Sequence, residues 1–316
     1  MRPIVTALCA LAVMAAAGQR AFSQDVVKVA IPQRGAWDAG LVDLGERGGI
    51  FKKHGLKLEI LYVSAGPEAI QAVIGGSIDI AVAAGVSAAV GTFAKGAPIR
   101  IIGSEMIGAP DLYWYVKADS PIKKIEDMNG KTVAFSLTGS SSHTALLALI
   151  AQYKLSAKPT STGNIAATIT QTMTGQVDVG FGAAPFGLDL VDDGKARIVA
   201  TGSDVASLKT RSVRVNVTNV NLVKNRADVL KRFNQAYQET IDWMYSDPAA
   251  LKHFADFSNL PEKVVARVRE LLPKDTMNPD QVVGIDQIIA EAQAQKFIAA
   301  PLTAAQVTEL IQIPKP

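Results

Sequence analysis

The feature that most constrains this chain is a pattern that occurs twice. The first copy opens with Ser64, Ala65, Gly66 and Pro67 and runs through a helix-length stretch to Gly75. It then reaches Gly76-Ser77-Ile78-Asp79-Ile80 and stops at Ala84-Gly85. The second copy opens with Ser161, Thr162, Gly163 and Asn164 and runs from Ile165 to Thr174. It reaches Gly175-Gln176-Val177-Asp178-Val179 and stops at Ala184-Pro185. Each copy predicts a small-residue turn, a short helix, a tight glycine turn and a buried strand. A chain that builds this unit twice is expected to form two α/β lobes facing each other across a cleft of loops and helix N-termini.

At 316 residues, 48% hydrophobic and 19% charged, the chain can bury two cores and is not a disordered polymer. Strand-like runs at 26–31, 56–63, 78–82, 99–104 and 113–116 alternate with short helical patterns, which predicts parallel sheets covered by helices on both faces. Asp119-Ser120-Pro121-Ile122 carries turn chemistry and is the expected crossing into a second lobe. The polar–valine alternation of 211–217 reads as a strand returning to the first. The expected division is 24–117 with 212–316 for lobe one and 118–211 for the inserted lobe two, hinged near 118–120 and 209–213. A helix over 227–245 places Leu230, Phe233, Tyr237, Ile241 and Met244 on one face.

The N-terminus reads as an export signal. Arg2 precedes an apolar run from Ile4 to Ala17, and Ala21-Phe22-Ser23 offers small residues for cleavage, so residues 1–23 are expected to be removed. The run is shorter than the ~20 residues a membrane span needs. Cleavage takes away Cys9, the only cysteine, and two arginines, leaving a cysteine-free chain near neutrality. Such a chain tolerates an oxidising compartment, and its weak charge gives no field for nucleic acid. The expected location is the periplasm.

Gly49-Ile50-Phe51-Lys52-Lys53-His54-Gly55-Leu56, the Gly66 turn, Gly76-Ser77-Ile78-Asp79-Ile80 and the stretch from Asp119 to Lys131 give the chain a family resemblance. It resembles the nitrate/sulfonate/taurine-type substrate-binding proteins of ABC transporters, a group that includes thiamine-precursor binders with an NMT1/THI5-like domain. The resemblance implies a type II periplasmic binding protein fold, with two α/β lobes around a hinge and cleft that close on a ligand. It also implies docking on an inner-membrane permease, as a monomer and without a cofactor. It leaves the ligand open among sulfonate, nitrate, carboxylate and pyrimidine.

Candidate ligand contacts follow from the expected cleft. Thr138, Gly139, Ser140, Ser141 and Ser142 lie between a strand and a helix, where unpaired amides and the positive dipole end favour an anion. A serine cap alone is the plainer reading of that run. Ser64, Gly66 and Asn164 precede the two repeat helices, and Gly85, Ser87, Ala184 and Phe186 follow the repeat strands, where ligands of open α/β sheets sit. Gln33 and Trp37 lie in the loop after the first strand. An indole there either stacks on a ligand or packs in the core. Arg34 is the nearest candidate counter-charge, although a solvated surface arginine is its plainer reading. Tyr113, Trp114, Tyr115 and Trp243 read as core.

Catalytic constellations are poor. His54, His143 and His253 are scattered, Gly139 to His143 does not complete Gly-x-Ser-x-Gly, and Gly180-Phe181-Gly182 lacks the third glycine of a dinucleotide loop. The expectation is a solute receptor and not an enzyme. Two other classes share the fold. An enzyme of thiamine-pyrimidine synthesis would need a cysteine-rich segment that is missing here, and a ligand sensor for a membrane kinase would differ only in its partner.

Overall fold

The computed structural model describes residues 24–315, so the expected signal segment 1–23 lies outside the described residues. The chain begins β1 (Asp25–Pro32), α1 (Leu41–Arg47), α2 (Ile50–Lys53), β2 (Leu56–Val63), α3 (Gly66–Ile74), β3 (Ile80–Gly85), α4 (Val86–Ala94) and β4 (Ile99–Ile107). Leu41, Leu44, Ile50 and Phe51 have the spacing of one helix's apolar side. Gly48-Gly49 breaks it in two, because Gly49 takes a left-handed φ of 74°. Then come β5 (Leu112–Lys117), β6 (Thr132–Phe135), α5 (Ser141–Tyr153), β7 (Lys158–Ser161), α6 (Ile165–Met173), β8 (Gly180–Ala183), α7 (Leu188–Asp192) and β9 (Ala196–Thr201). Strand β10 (Ser212–Asn219) leads into α8 (Val220–Asn225), α9 (Ala227–Ser246), α10 (Pro248–Ser258), α11 (Glu262–Leu271), α12 (Ile285–Ala294) and α13 (Ala304–Leu310).

The first lobe's sheet has the order β2-β1-β3-β10-β4. Strand β1 runs parallel to β2 and β3, whereas β10 is antiparallel to both β3 and β4. The all-parallel expectation therefore fails at one strand. That strand arrives from the other lobe and enters the sheet from the opposite end. In the second lobe β8-β5-β9 form an antiparallel sheet and β6-β7 a parallel pair. A bridge from Val133 to Val179, with Ala134 N donating to Val179 O at 2.8 Å, joins the two. The combined order β7-β6-β8-β5-β9 repeats that of the first lobe, with β5 as the antiparallel visitor.

Strand β5 corrects the expected boundary. It pairs with β8 and β9 and with nothing in the first sheet, so residues 112–117 belong with lobe two. The outward crossing lies at 108–111, between β4 and β5, and not near 118–120. The apolar run Tyr113–Val116 does identify a strand. Which sheet it joins depends on partners some 70 residues away, and the turn chemistry of Asp119-Ser120-Pro121 imitates a linker. The chain re-enters the first sheet with β10 at Ser212, where Ser104 Oγ and Ser212 Oγ lie 2.8 Å apart.

The repeated aspartates do the same work in both lobes. Asp79 Oδ2 accepts from Lys28 N at 2.8 Å, and Asp79 N donates to Lys28 O at 2.9 Å. Asp178 Oδ2 accepts from Thr132 N at 2.8 Å and from Thr132 Oγ1 at 2.7 Å, and its own amide donates back to Thr132 Oγ1. Each ties the repeat's strand to its lobe's first parallel strand. The long helix α9 buries Leu230, Phe233, Tyr237, Ile241 and Met244, the stripe its spacing indicates. Among the described residues no helix is long and apolar enough to cross a membrane.

Candidate functional site

Four helices begin at the junction of the lobes. Helix α3 starts at Gly66 behind Ala65, and α4 starts behind Gly85; neither has a side-chain cap. Helix α5 is capped by Ser140, whose Oγ accepts from His143 N at 3.2 Å, and α6 by Asn164, whose Oδ1 accepts from Ala167 N at 2.9 Å. Gly66, Gly85, Ser140, Ser141, Ser142 and Ile165 line one inner cavity of about 60 Å³. Helix starts present amides without intrahelical partners, and their dipoles favour negative charge.

Close packing at this junction selects glycine. A Cβ on Gly66 would lie 3.0 Å from Ala84 Cα, and one on Gly85 would lie 2.8 Å from Gly139 O and 3.0 Å from Ser141 N. The second approach joins lobe one to lobe two, so the cleft is closed at Gly85. The serines have separate roles. Ser140 caps, Ser142 Oγ accepts from Ser136 N at 3.1 Å and braces the loop, and Ser141 Oγ accepts from Arg214 Nε at 3.1 Å.

Arg214, on β10, is the electrostatic centre of the cavity. Its guanidinium donates to both Asp111 oxygens, at 3.1 and 2.7 Å, and lies 3.1 Å from Asp38 Oδ2. All three side chains are at least nine-tenths buried. Burial alone would lower the Arg214 pKa, but the carboxylates of Asp111 and Asp38 outweigh it and hold the guanidinium charged. Burial pushes Asp111 up, against the pull of Arg214. Behind this group Glu105 is fully buried, with no hydrogen-bond partner for either oxygen; burial, then the Asp38 charge, raises its carboxyl well above the usual range. Burial likewise lowers His143 to about 4, and the neutral ring accepts from Gly139 N at 3.2 Å.

The candidate contacts fall into five places, the last of them the core, which takes Trp37. Gln33, Gly66, Gly85, Ser140, Ser141 and Ser142 meet at the inner cavity. Gln33 reaches there with its side chain anchored on Ser64 O at 2.8 Å. Ser64, Asn164 and Phe186 line an outer chamber of about 500 Å³ that shares Gln33 and Ile165 with the inner one. Ser87, Thr138 and Gly139 line a separate side groove of about 200 Å³. Ala184 is buried beside the hinge, its amide on Asp111 O at 3.0 Å.

Trp37 is not in the cleft. It is fully buried, its Nε1 donates to Tyr245 Oη at 3.2 Å, and its ring meets Phe254 edge-on at 4.9 Å. Helices α9 and α10 supply that pocket, and nothing local to residues 33–37 announces them. Arg34 lies at the outer chamber, over the rings of Tyr62 and Phe257 at 5.4 and 5.2 Å. The charges that do face the inner cavity, Asp38, Asp111 and Arg214, are absent from the expected set, as is Ser136. A signal for Arg214 was present: it is a cation inside a strand that alternates polar residues with valine.

Among the described residues no group of three or more His, Cys, Asp or Glu could hold a metal ion. A family model described as NMT1/THI5 like matches residues 42–251. No curated protein sequence matches the chain. Among solved structures, the alkanesulfonate-binding protein SsuA from Xanthomonas axonopodis pv. citri, bound to MOPS, superposes with a TM-score of 0.75 at 21% identity, covering 92% of this chain and 98% of that one. The periplasmic aliphatic sulphonate binding protein SsuA from Escherichia coli gives 0.74 at 20% identity, covering 93% and 94%. The periplasmic nitrate-binding protein NrtA from Synechocystis PCC 6803 gives 0.72 at 13% identity, covering 92% and 86%. These likenesses place the chain in the type II periplasmic binding protein fold.

Proposed function

The chain belongs to the NMT1/THI5-like family, and from that premise we propose that it is a periplasmic receptor that hands a small anionic solute to an ABC importer. One observation carries the reading: four helix starts, two from each lobe, converge on a single interlobe cavity. Backbone amides fixed before the ligand arrives need no reorganisation to receive a negative group. Each such dipole contact is worth roughly 0.3–1 kcal/mol, and about 2 kcal/mol where partly buried.

Binding and release follow from the geometry. The lobes join through two short crossings, 108–111 and 209–212, and meet across the cavity at Gly85 and Ser141. A ligand that satisfies amides from both sides favours the closed arrangement by its differential affinity for it. Closure creates a surface shared by both lobes, which the membrane permease would read. The sulfonate and nitrate names of the similar structures suggest anions of that size, and the inner cavity suits such a head group. The heteroaromatic reading loses its stacking residue, since Trp37 packs in the core.

The reading is tested by thermal shift of the purified protein against small sulfonates, carboxylates and nitrate. At a hundredfold excess over Kd a true ligand adds about 2.7 kcal/mol of stability. Ser141→Leu, which fills the cavity at the α5 start, should abolish that shift. An unchanged shift in this variant would place the anion elsewhere, and turnover of any candidate would make the protein an enzyme.

A further inference from the structure

Three carboxyls gather around one guanidinium at the base of the cavity. Asp111 accepts two hydrogen bonds from Arg214, and Asp38 pairs with its Nη1 at 3.1 Å. The third, Glu105, arrives through an irregularity in β4. Ser104 pairs with Val215 and Met106 with Arg214, so Glu105 is the extra residue of a β-bulge. Bulges re-aim side chains. Here two sequence neighbours meet the same group: Met106 Sδ accepts from Arg214 Nη1, and the Glu105 carboxyl lies in the field of Arg214, Asp38 and Asp111. That carboxyl is fully buried, and among the described residues nothing donates to either of its oxygens. The remaining titratable group facing it is Tyr237 on α9; burial raises that phenol well above its usual range, so the carboxyl titrates first.

Resting on the receptor reading above, we propose that solute and proton bind together, with Glu105 as the seat of the proton. An ionised Glu105 puts a third carboxylate beside a single buried cation, and an arriving anion adds further negative charge to the same closed site. A proton on Glu105 removes one of those charges at a group with no hydrogen bond to lose. It leaves the Arg214 contacts to Asp111 and Ser141 as they are, because Glu105 takes part in neither. Glu105 does not line the cavity, so it is a positioning residue that acts through the charge balance around Arg214. Burial, then the Asp38 charge, raises its carboxyl above the usual range, and a bound anion raises it further. Affinity is therefore complete while Glu105 is protonated in the free protein and falls as pH rises past that point.

Isothermal titration of the purified protein with ethanesulfonate, nitrate and acetate from pH 6 to pH 9 tests this. All three probes stay ionised there, and His143 titrates near 4, below the range. Wild-type affinity should fall by up to about tenfold per pH unit, with uptake of about one proton per bound anion read from buffers of different ionisation enthalpy. Glu105→Gln, a neutral group of the same shape, should flatten the profile and end the uptake. The infrared spectrum of the anion-bound protein should show a protonated-carboxyl C=O stretch that the variant lacks. A flat wild-type profile, or a slope or carboxyl band that survives Glu105→Gln, overturns the proton coupling while the receptor reading stands. The wild-type profile and proton count decide the matter even if the variant fails to fold. Failure of all three probes and of longer sulfonates and carboxylates to bind at any pH overturns the receptor reading itself.

Discussion

The two lobes repeat each other in plan and differ in what they bring to the cleft. Both sheets have one order, β2-β1-β3-β10-β4 and β7-β6-β8-β5-β9, each with a strand from the opposite crossing set antiparallel in fourth place. Both use an aspartate at the repeat turn to fasten the strand that ends at the cavity. The chemistry then diverges. Lobe one and the hinge supply charge, through Arg214, Asp38 and Asp111, whereas lobe two supplies hydroxyls and uncharged helix starts. A shared scaffold thus separates two tasks. One side fixes a charged floor, and the other closes over it with neutral donors that cost little to desolvate.

The sharpest way to break this contrast is to remove the cation from the floor. Arg214→Met leaves Asp111 and Asp38 buried without their partner, a change that typically costs about 3–5 kcal/mol. Urea denaturation of the variant should show a loss of that size. A loss below about 1 kcal/mol would mean the carboxylates are already protonated, and the floor would then be as neutral as the lid.

The lid can be held off without touching either core. Gly85 has an ordinary φ of −59°, so Gly85→Ala strains no backbone, but the added methyl meets Gly139 O across the cleft. Both lobes should fold, small-angle scattering should show a wider envelope, and ligand at a hundredfold excess over Kd should lose most of its ~2.7 kcal/mol stabilisation. An unchanged scattering profile with full stabilisation would show that the lobes need not meet at Gly85.

The repeated turn-helix-turn-strand units were legible in the sequence because glycine turns and apolar periodicity are local signals. The cavity-lining helix starts at Gly66 and Gly85 belong to the first unit, and the run Ser140 to Ser142 was read from its place between a strand and a helix. The floor was not legible in the same way. Asp38 stands one residue after Trp37 in a loop, and only the fold turns the first into the cavity and the second into the core against Tyr245 and Phe254. Arg214 and Asp111 meet over about a hundred residues of sequence, through the pairing of β10 beside the hinge. The membership of β5 failed for the same reason: a strand's existence is local, but its partners are not.

A smaller test compares the two aspartates. Asp178 accepts two hydrogen bonds from Thr132 and its amide donates a third, whereas Asp79 holds Lys28 by two backbone contacts. Although burial would raise its pKa, hydrogen bonds from Thr132 hold the Asp178 carboxyl below the usual range. Asp178→Ala should therefore cost more than Asp79→Ala, about 1–2 against about 1 kcal/mol by denaturant titration. Equal losses would make the lobes energetically alike at this joint.

The mildest effect distinguishes the lobes by pH. The start of α5 carries His143, while α4 across the cleft has no titratable residue. Burial lowers the His143 pKa from 6.5 to about 4, so the unfolded chain binds more protons than the folded one between those values. Stability contributed by the neutral ring is therefore complete above pH 6.5 and is lost as pH falls toward 4. The ring is partly solvated, which reduces the effect to on the order of 1 kcal/mol. Denaturation of wild type and His143→Gln at pH 7 and pH 5 isolates it, since carboxylates common to both cancel. The wild type should lose more stability than the variant on acidification, and hydrogen exchange should quicken at 136–144 before it does at 85–90. Parallel losses in the two proteins would mean the imidazole titrates as it would in water.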